Sequence, residues 1–294
     1  MRISNRMMID TAIRQMNDSK EQLAALQEIA GSGKLFQNIS DDPSRASFAQ
    51  GLRSSLKTNE GFINTGQNAS DWLSGNEQVF GQMIDIGTKV QNLLLQGSSD
   101  TLSSTERAAL GTQVNDLLKE AVDQANSNVN GRFLFSGFQV KTIPFTLNAG
   151  GTAVTYNGDS GIIQQDINLG QKIDLGFDGS ATFSSFFQSL IDARDALLTN
   201  NMPNLATAQG AFTNALAAVQ TARTVNGTRQ QQVTATLDSL GKAQTQIKAL
   251  LSKKEDANMA EAISNLNSQQ TIYQTVIEVS SRAISSLNLF DSLR

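Results

Sequence analysis

The chain has 294 residues and a formal net charge of −4, and it contains neither cysteine nor histidine. It therefore has no thiol nucleophile, no disulfide, no imidazole base and none of the commonest zinc ligands. Only 6% of its residues are aromatic, which is typical of an elongated molecule with a thin core or of apolar surfaces that are buried only in an assembly. We predict no catalytic residues, no cofactor and no metal site.

Two classes of partner are also disfavoured. Basic residues form no patch of the kind that binds nucleic acid. No apolar run approaches the length of about 18 residues that a membrane-spanning helix needs. The N-terminus shows no apolar segment followed by a small-residue cleavage site, so we expect no cleaved secretory signal.

The first predicted helix carries an apolar stripe whose members are spaced alternately by four and three residues. This spacing is typical of a coiled-coil seam and calls for a partner helix. Lys20 and Gln27 interrupt the stripe. Ser4 or Asn5 is the expected N-cap, and the helix is expected to end near Gly31. The apolar members are Ile9, Ile13, Met16 and Leu23.

A motif that runs from Ser40 through Asp41, Asp42 and Pro43 begins the next predicted helix. Asp42 suits an N-cap, and Pro43 suits the first helical position, where its missing N–H is not needed. We interpret the acidic pair as structural, because carboxylates at a helix start offset its dipole.

Two helices are predicted to follow. The first extends from Pro43 to about Gln96 and contains six glycines, which suggests close packing against another helix. The second opens at the capping box Ser103–Glu106 and continues to about Asn128.

Residues 132–137 are predicted to form a short buried strand. Helical periodicity then disappears over 138–179, where β-formers alternate with turn sequences such as Asn157-Gly158. We predict a small β-rich insertion that the helical body does not need for folding.

Helical patterns return over about 183–199 and 203–251. Asn226-Gly227 within the second is equally compatible with a turn and with a continuous helix. Ser252–Glu255 has the pattern of a capping box for the last helix. That helix has the stronger seam, which comprises Met259, Ile263, Leu266, Tyr273, Ile277, Ile284 and Leu287.

The predicted fold is mainly α: an elongated antiparallel helical bundle, with a coiled coil formed by both chain ends and a small β-rich insertion. Three parts are expected. They are a terminal coiled coil for assembly (1–42 with 255–294), a long-helix domain (43–137 with 180–254) and the β-domain (138–179).

Five motifs in this order resemble the flagellin superfamily. They are Ser40–Ala46, Asn130–Gly137, Asn226–Arg229, Glu255–Ala262 and Ser286–Arg294. Within that superfamily, the stretch around Gly131, Phe133, Leu134, Phe135 and Gly137 resembles the hook–filament junction proteins, although Phe133 stands where tyrosine is common. The resemblance covers the whole chain.

The resemblance implies a structural protein of the bacterial flagellum, exported unfolded by the flagellar type III apparatus and located outside the cell. It implies self-assembly into a ring of the axial structure, between a sister hook-associated junction protein and flagellin. An export chaperone is expected to bind near the C-terminal helix, and the β-rich insertion is expected to face outward.

Three alternatives differ in what they predict. Filament flagellin shares the family pattern but often carries a larger insertion. A coiled-coil signalling hairpin would lack the β-rich insertion. An enzyme or a sugar-binding module built on the β-region would have to function without His or Cys.

Overall fold

The computed structural model describes residues 2–292, without the side chains of 2–6, 8, 283, 284 and 286–292. Within this range the fold is mainly α with small β-hairpins, as predicted. The helices are α1 (Arg2–Ser32), α2 (Pro43–Gly97), α3 (Ser104–Ala125), α4 (Gly179–Leu198), α5 (Met202–Glu255) and α6 (Met259–Ser292).

The described strands lie between α3 and α4 and form three two-stranded antiparallel pairs, β1–β2, β3–β4 and β5–β6. Phe145 pairs with Tyr156, and Gln165 pairs with Ile173. The strands are β1 (Asn128–Val129), β2 (Arg132–Phe133), β3 (Phe145–Leu147), β4 (Val154–Tyr156), β5 (Gln164–Asn168) and β6 (Gln171–Asp174).

The chain divides into two compact units rather than three. Unit 1 contains the residues up to Thr58 and those from Gln244 onward, and unit 2 is Asn59–Ala243. The β-strands belong to unit 2 together with the helices that flank them. Independent folding of residues 138–179 stays a prediction, and the packing of that segment argues against it.

Apolar side chains of the β-segment lie in the same core as the helices of unit 2. Phe145 is 1% exposed, and its ring centroid lies 5.1 Å from that of Phe187 and 6.0 Å from that of Phe183. Ile167 and Ile173 are also buried. The strands therefore help to bury the apolar surface of the helices. A dispensable insertion would not share their core.

The predicted strand over 132–137 is only partly formed. Strands β1 and β2 make a short hairpin whose turn places Asn130 and Gly131 at positive φ, 53° and 74°. Leu134 and Phe135 then enter the core without strand pairing. Phe135 packs edge-on against Phe183, with ring centroids 4.9 Å apart.

Gly137 ends this segment in a conformation that requires glycine. Its φ is +68°, and a Cβ there would collide with Asp159. The Oδ1 atom of Asp159 accepts hydrogen bonds from the backbone N–H groups of Phe138 and Gly161, both at 2.8 Å. Gly137 thus allows the backbone to pass close to a carboxylate that organises the next turn.

Two predicted helix starts are confirmed. Asp42 Oδ1 accepts from the backbone N of Arg45 at 2.9 Å, and Ser103 and Glu106 form the full capping box. Helix α4 begins at Gly179, earlier than the predicted start near residue 183, and Asp178 caps it through the backbone N of Ala181. The expected cap at Ser4 or Asn5 is wrong, because α1 already begins at Arg2.

Asn226 shows why α5 continues through the Asn-Gly pair. Its side chain is fully buried, and its Nδ2 donates to the Leu73 carbonyl of α2 at 2.9 Å. The Nδ2 atom of Asn76, also on α2, donates a hydrogen bond to the Leu175 carbonyl at 2.8 Å. The asparagine is therefore used for contact between helices and not for a turn.

Glycines allow α2 and α5 to approach each other in unit 2, where they run antiparallel. A Cβ on Gly66 would lie 2.7 Å from Leu237 Cδ2, and one on Gly87 would lie 2.5 Å from Leu216 Cδ1. Gly81 on the same helix has open space at that position. Close packing thus explains some of the helical glycines and not others.

This difference gives a matched pair of substitutions. We expect Gly87→Ala to lower the free energy of unfolding of unit 2 by about 1–3 kcal/mol, because Leu216 is buried and cannot move freely. Gly81→Ala should raise it by about 1 kcal/mol through helix propensity. Urea unfolding followed by the fluorescence of Trp72 measures both, and equal effects would contradict the packing role.

Candidate assembly surface of the terminal helices

Helices α1 and α6 pair in an antiparallel arrangement. Gln269 Nε2 donates to Ser19 Oγ at 3.2 Å and to Gln22 Oε1 at 3.1 Å. Towards the other end of the pair, Lys34 and Asp256 form an antiparallel bridge. The prediction that the two chain ends form one helical pair is therefore confirmed within the described residues.

The seam between these helices has a different phase from the predicted one. In both helices the seam combines small or polar residues with larger ones, and all of these side chains are buried or half-buried. The stripes are Ile9, Ala12, Met16, Ser19, Leu23, Leu26 and Ala30 on α1 and Ala262, Leu266, Gln269, Tyr273, Val276 and Ser280 on α6.

Every second predicted seam residue lies one position away from this stripe. Ile9, Met16, Leu23, Leu266 and Tyr273 are on it. Ile13, Ile263 and Ile277 lie one position away and are exposed by 43%, 48% and 41%. Met259 is in phase with the stripe but is 39% exposed at the start of α6. The side chains of Ile284 and Leu287 lie outside the described residues.

The exposed apolar residues flank the seam of α6 on both sides. At about 100° per residue, Ile263 and Ile277 lie on one flank, while Ile272 and Val279 lie on the other. Ile272 is 50% exposed and Val279 is 60% exposed. The apolar sector of α6 is thus much wider than one partner helix covers.

Unit 1 has almost no core of its own. Among its described side chains, the only buried apolar ones are Ala46, Ala49 and Ala262. In unit 2, by contrast, seven phenylalanine side chains are less than 2% exposed. Because apolar burial is the main stabilising contribution in folding, unit 1 lacks the stabilisation that unit 2 has.

The buried carboxylate of Glu255 links two connections between helices at one end of unit 1. Glu255 is 2% exposed; its Oε2 lies 2.9 Å from Lys34 Nζ and its Oε1 lies 2.8 Å from Arg53 Nη2. Its carbonyl also accepts from the backbone N of Leu35 at 2.7 Å. The α1–α2 and α5–α6 connections are therefore joined through one residue.

This arrangement corrects the predicted capping box. Ser252 and Glu255 lie in the last turn of α5 and do not open α6. The Asn258 Oδ1 atom accepts from the backbone N of Ala260 at 3.2 Å at the actual start of α6. The pattern was misleading because Glu255 is used for ion pairs with two cations.

We expect Glu255→Gln to loosen this junction. The loss of two ion pairs should cost about 1–2 kcal/mol, because Lys34 and Arg53 are partly exposed and solvent weakens their attraction to Glu255. The backbone N–H of Ala257, which donates to the Gly33 carbonyl, should then exchange faster with solvent. Hydrogen exchange measures this, and the exposed Glu261→Gln variant is the control; equal exchange in both would contradict the role.

The junction should also weaken in acid. Hydrogen bonds from Ser252 and then Lys34 hold the pKa of Asp256 below its ordinary value of 3.8. Such a group contributes stability above pH 3.8 and loses it as the pH falls through the lower folded-state pKa. The hydrogen bond to Glu255 raises the pKa of Lys34 above 10.5, so the contribution of Lys34 is lost only as the pH rises through that raised value.

The acidic pair that precedes α2 is structural. Asp41 Oδ2 accepts from the backbone N of Asn38 at 2.9 Å and of Gln37 at 3.2 Å. These bonds, with that of Asn38 the stronger contribution, lower the pKa of Asp41 below 3.8. Asp42 is occupied by its cap and by an ion pair with Arg45 at 3.1 Å.

In the part of the chain that the structure describes, no group of three or more Asp or Glu side chains is placed to hold a metal ion. None of the described helices combines the length and apolarity that crossing a membrane requires.

Family models identify the chain. The bacterial flagellin N-terminal helical region matches residues 3–140, and the C-terminal helical region matches residues 210–290. The chain belongs to the bacterial flagellin family. The two matches contain α1, α6 and most of the long helices, and they leave out most of the segment that carries β3 to β6.

Individual relatives agree with this assignment. The flagellar hook-associated protein 3 of Salmonella typhimurium is 26% identical over 239 residues, which are 81% of this chain and 73% of that protein. The crystal structure of Bacillus cereus FlgL covers 69% of this chain and 99% of its own, with a TM-score of 0.62 and 20% identity.

A third relative is the flagellar junction protein FlgL of Legionella pneumophila. Its crystal structure covers 72% of this chain and all of its own, with a TM-score of 0.56 and 15% identity. At these identities the two structures establish the shared fold.

Sequence reasoning missed the residues that join α2, α5 and the end of β6. Arg229 stacks on Phe177 at 4.6 Å and donates to the Gly176 carbonyl at 3.1 Å. Asn226 and Asn76 make the neighbouring contacts. The Asn226–Arg229 motif was the available signal, but nothing local to it indicates which distant carbonyls it binds.

Proposed function

We propose that this protein is a structural subunit of the bacterial flagellum and joins the hook to the filament as a hook-associated junction protein. The observation that carries the proposal is the wide apolar sector of α6 in a unit without a core. Ile263 and Ile277 on one flank, and Ile272 and Val279 on the other, need further helices to cover them. Neighbouring subunits in a ring supply such helices.

The names of the relatives support the hook–filament position over other positions in the flagellum. In this proposal a sister hook-associated junction protein contacts the ring on the hook side, and flagellin contacts it on the filament side. The chain reaches this position outside the cell through the flagellar export apparatus. A chaperone covers the apolar sector of α6 before export.

The role does not involve catalysis. The mechanism is mechanical: α1 and α6 gain stability when neighbouring copies bury their exposed flanks, since binding that favours the folded state stabilises it. Unit 2 has its own buried core, and in this proposal it keeps its shape during assembly. A subunit of this kind can be exported unfolded and become fully ordered only where it is incorporated.

Deletion of the gene in its source bacterium tests the position. We expect cells that make hooks, lack filaments and release flagellin monomers into the medium. Labelling of a tagged, functional copy should give one band at the hook–filament boundary. Label along the whole filament would instead identify filament flagellin, and normal filaments in the deletion strain would contradict both functions.

A further inference from the structure

Two neighbouring glutamines on α6 lie in opposite environments. Gln269 is 8% exposed, whereas Gln270 is exposed to solvent. The Nε2 atom of Gln269 donates to the Ser19 carbonyl at 3.3 Å and to Ser19 Oγ at 3.2 Å. It also lies 3.1 Å from Gln22 Oε1. A carboxamide is therefore buried in the seam, and its three hydrogen-bond acceptors all belong to α1.

Apolar burial alone favours a different rotation of α6 about its own axis. A rotation by half of one residue step, about 50°, keeps Leu266 in the seam. It moves Ala262 and Val276 out of the seam and moves Ile263 and Ile277 into it. These isoleucines are 48% and 41% exposed as the helix lies now. Because the rotation would bury larger aliphatic side chains, another interaction has to favour the observed orientation.

The hydrogen bonds of Gln269 are such an interaction, because they are made only in the observed orientation. After the rotation Gln269 would leave the seam, and Gln270 would approach it. Ser19 is 6% exposed, and its small side chain leaves room for the longer glutamine. A buried polar contact between paired helices is well suited to select one arrangement among several at some cost in stability.

We propose that Gln269, through its hydrogen bonds to Ser19 and Gln22, sets which face of α6 is turned toward α1 and thereby keeps Ile263 and Ile277 at the surface. Gln269 is thus a positioning residue for the exposed flank. That another subunit covers this flank rests on the proposed function, whereas the orientation of α6 within the chain does not. Without Gln269, the two isoleucines would be used inside the chain and lost for assembly.

The chain contains no cysteine, so a single introduced thiol reports on the orientation of α6. Ala262→Cys places the thiol at a position that is 6% exposed, and Ile263→Cys places it at one that is 48% exposed. Addition of Gln269→Ala should raise the rate of maleimide labelling at position 262 by about tenfold, since the observed orientation loses its hydrogen bonds. The same substitution should lower the rate at position 263, because rotation buries one position as it exposes the other.

Gln270→Ala is the matched control, because it removes the same side chain from the next position. It should leave both labelling rates unchanged. Faster labelling at both positions in Gln269→Ala, with or without a loss of helicity by circular dichroism, would show that the helix pair opens and would overturn the proposal. Unchanged rates at both positions, a rise at 262 without a fall at 263, or equal effects of the two substitutions would overturn it as well. Because the labelling uses the isolated protein, its result is independent of where the protein lies in the flagellum.

Discussion

Replacement of Phe145 by alanine is expected to lower the free energy of unfolding of unit 2 by about 3–5 kcal/mol. Phe145 belongs to β3, in the segment that the sequence suggested was dispensable. Its ring is 1% exposed and contacts Tyr156 as well as Phe183 and Phe187 of α4. The substitution leaves a cavity between the β-segment and the helices, which neither can fill without moving.

Phe138→Ala is the matched control, since it removes the same side chain from the same segment. Phe138 is 67% exposed, so its loss should change the stability by no more than about 0.5 kcal/mol. Trp72 lies in unit 2, and its fluorescence during urea unfolding reports on both variants. If Phe145→Ala were as mild as the control, the β-segment would be a separate domain after all.

The difference between the predicted role of this segment and its observed packing has a physical cause. Local sequence patterns report secondary structure, and the turn sequences and β-formers of 138–179 correctly predicted short strands there. The core contacts of Phe145 involve residues about 40 positions away in α4. No local periodicity encodes such a pairing, and the strands are too short to show a clear alternation of buried and exposed residues.

The helices were more predictable because each one is long enough to repeat its pattern many times. The nested order of helices, the cap at Asp42 and the capping box at Ser103 all follow from local chemistry. Ser252–Glu255 has the same local chemistry and fails, because Glu255 binds Lys34 and Arg53 from the other end of the chain. A cap is predictable only when no distant group competes for its residues.

The error in seam phase is informative about assembly. Stepping through the largest aliphatic residues selected Ile13, Ile263 and Ile277, whereas the helices of this chain pack around smaller neighbours such as Ala12 and Ala262. Small side chains allow two helices to approach closely, and the large ones are left on the flanks. Hydrophobicity alone could not separate the contact within the chain from a contact with another subunit.

The largest effect on assembly is therefore expected from the flanks and not from the seam. We expect the double substitution of Ile263 and Ile277 by aspartate to prevent incorporation of the protein between hook and filament. In the free protein both side chains are partly exposed, so the melting of unit 2 should not change measurably. In the assembled state each aspartate would be an unpaired buried charge, which costs several kcal/mol. The measurements are the melting temperature of the purified variant and the number of filaments per cell.

Ser264→Asp with Thr271→Asp is the matched control. These residues lie on the exposed polar face of α6, so they add the same charge without entering the apolar sector. Cells with the control should keep their filaments, while cells with the variant should have bare hooks and flagellin in the medium.

Loss of filaments in both strains would mean that charge on α6 disturbs export or the chaperone contact. Normal filaments in the variant strain would show that this flank of α6 is not an assembly surface, and a large fall in the melting temperature of unit 2 would show that its stability depends on the terminal helices.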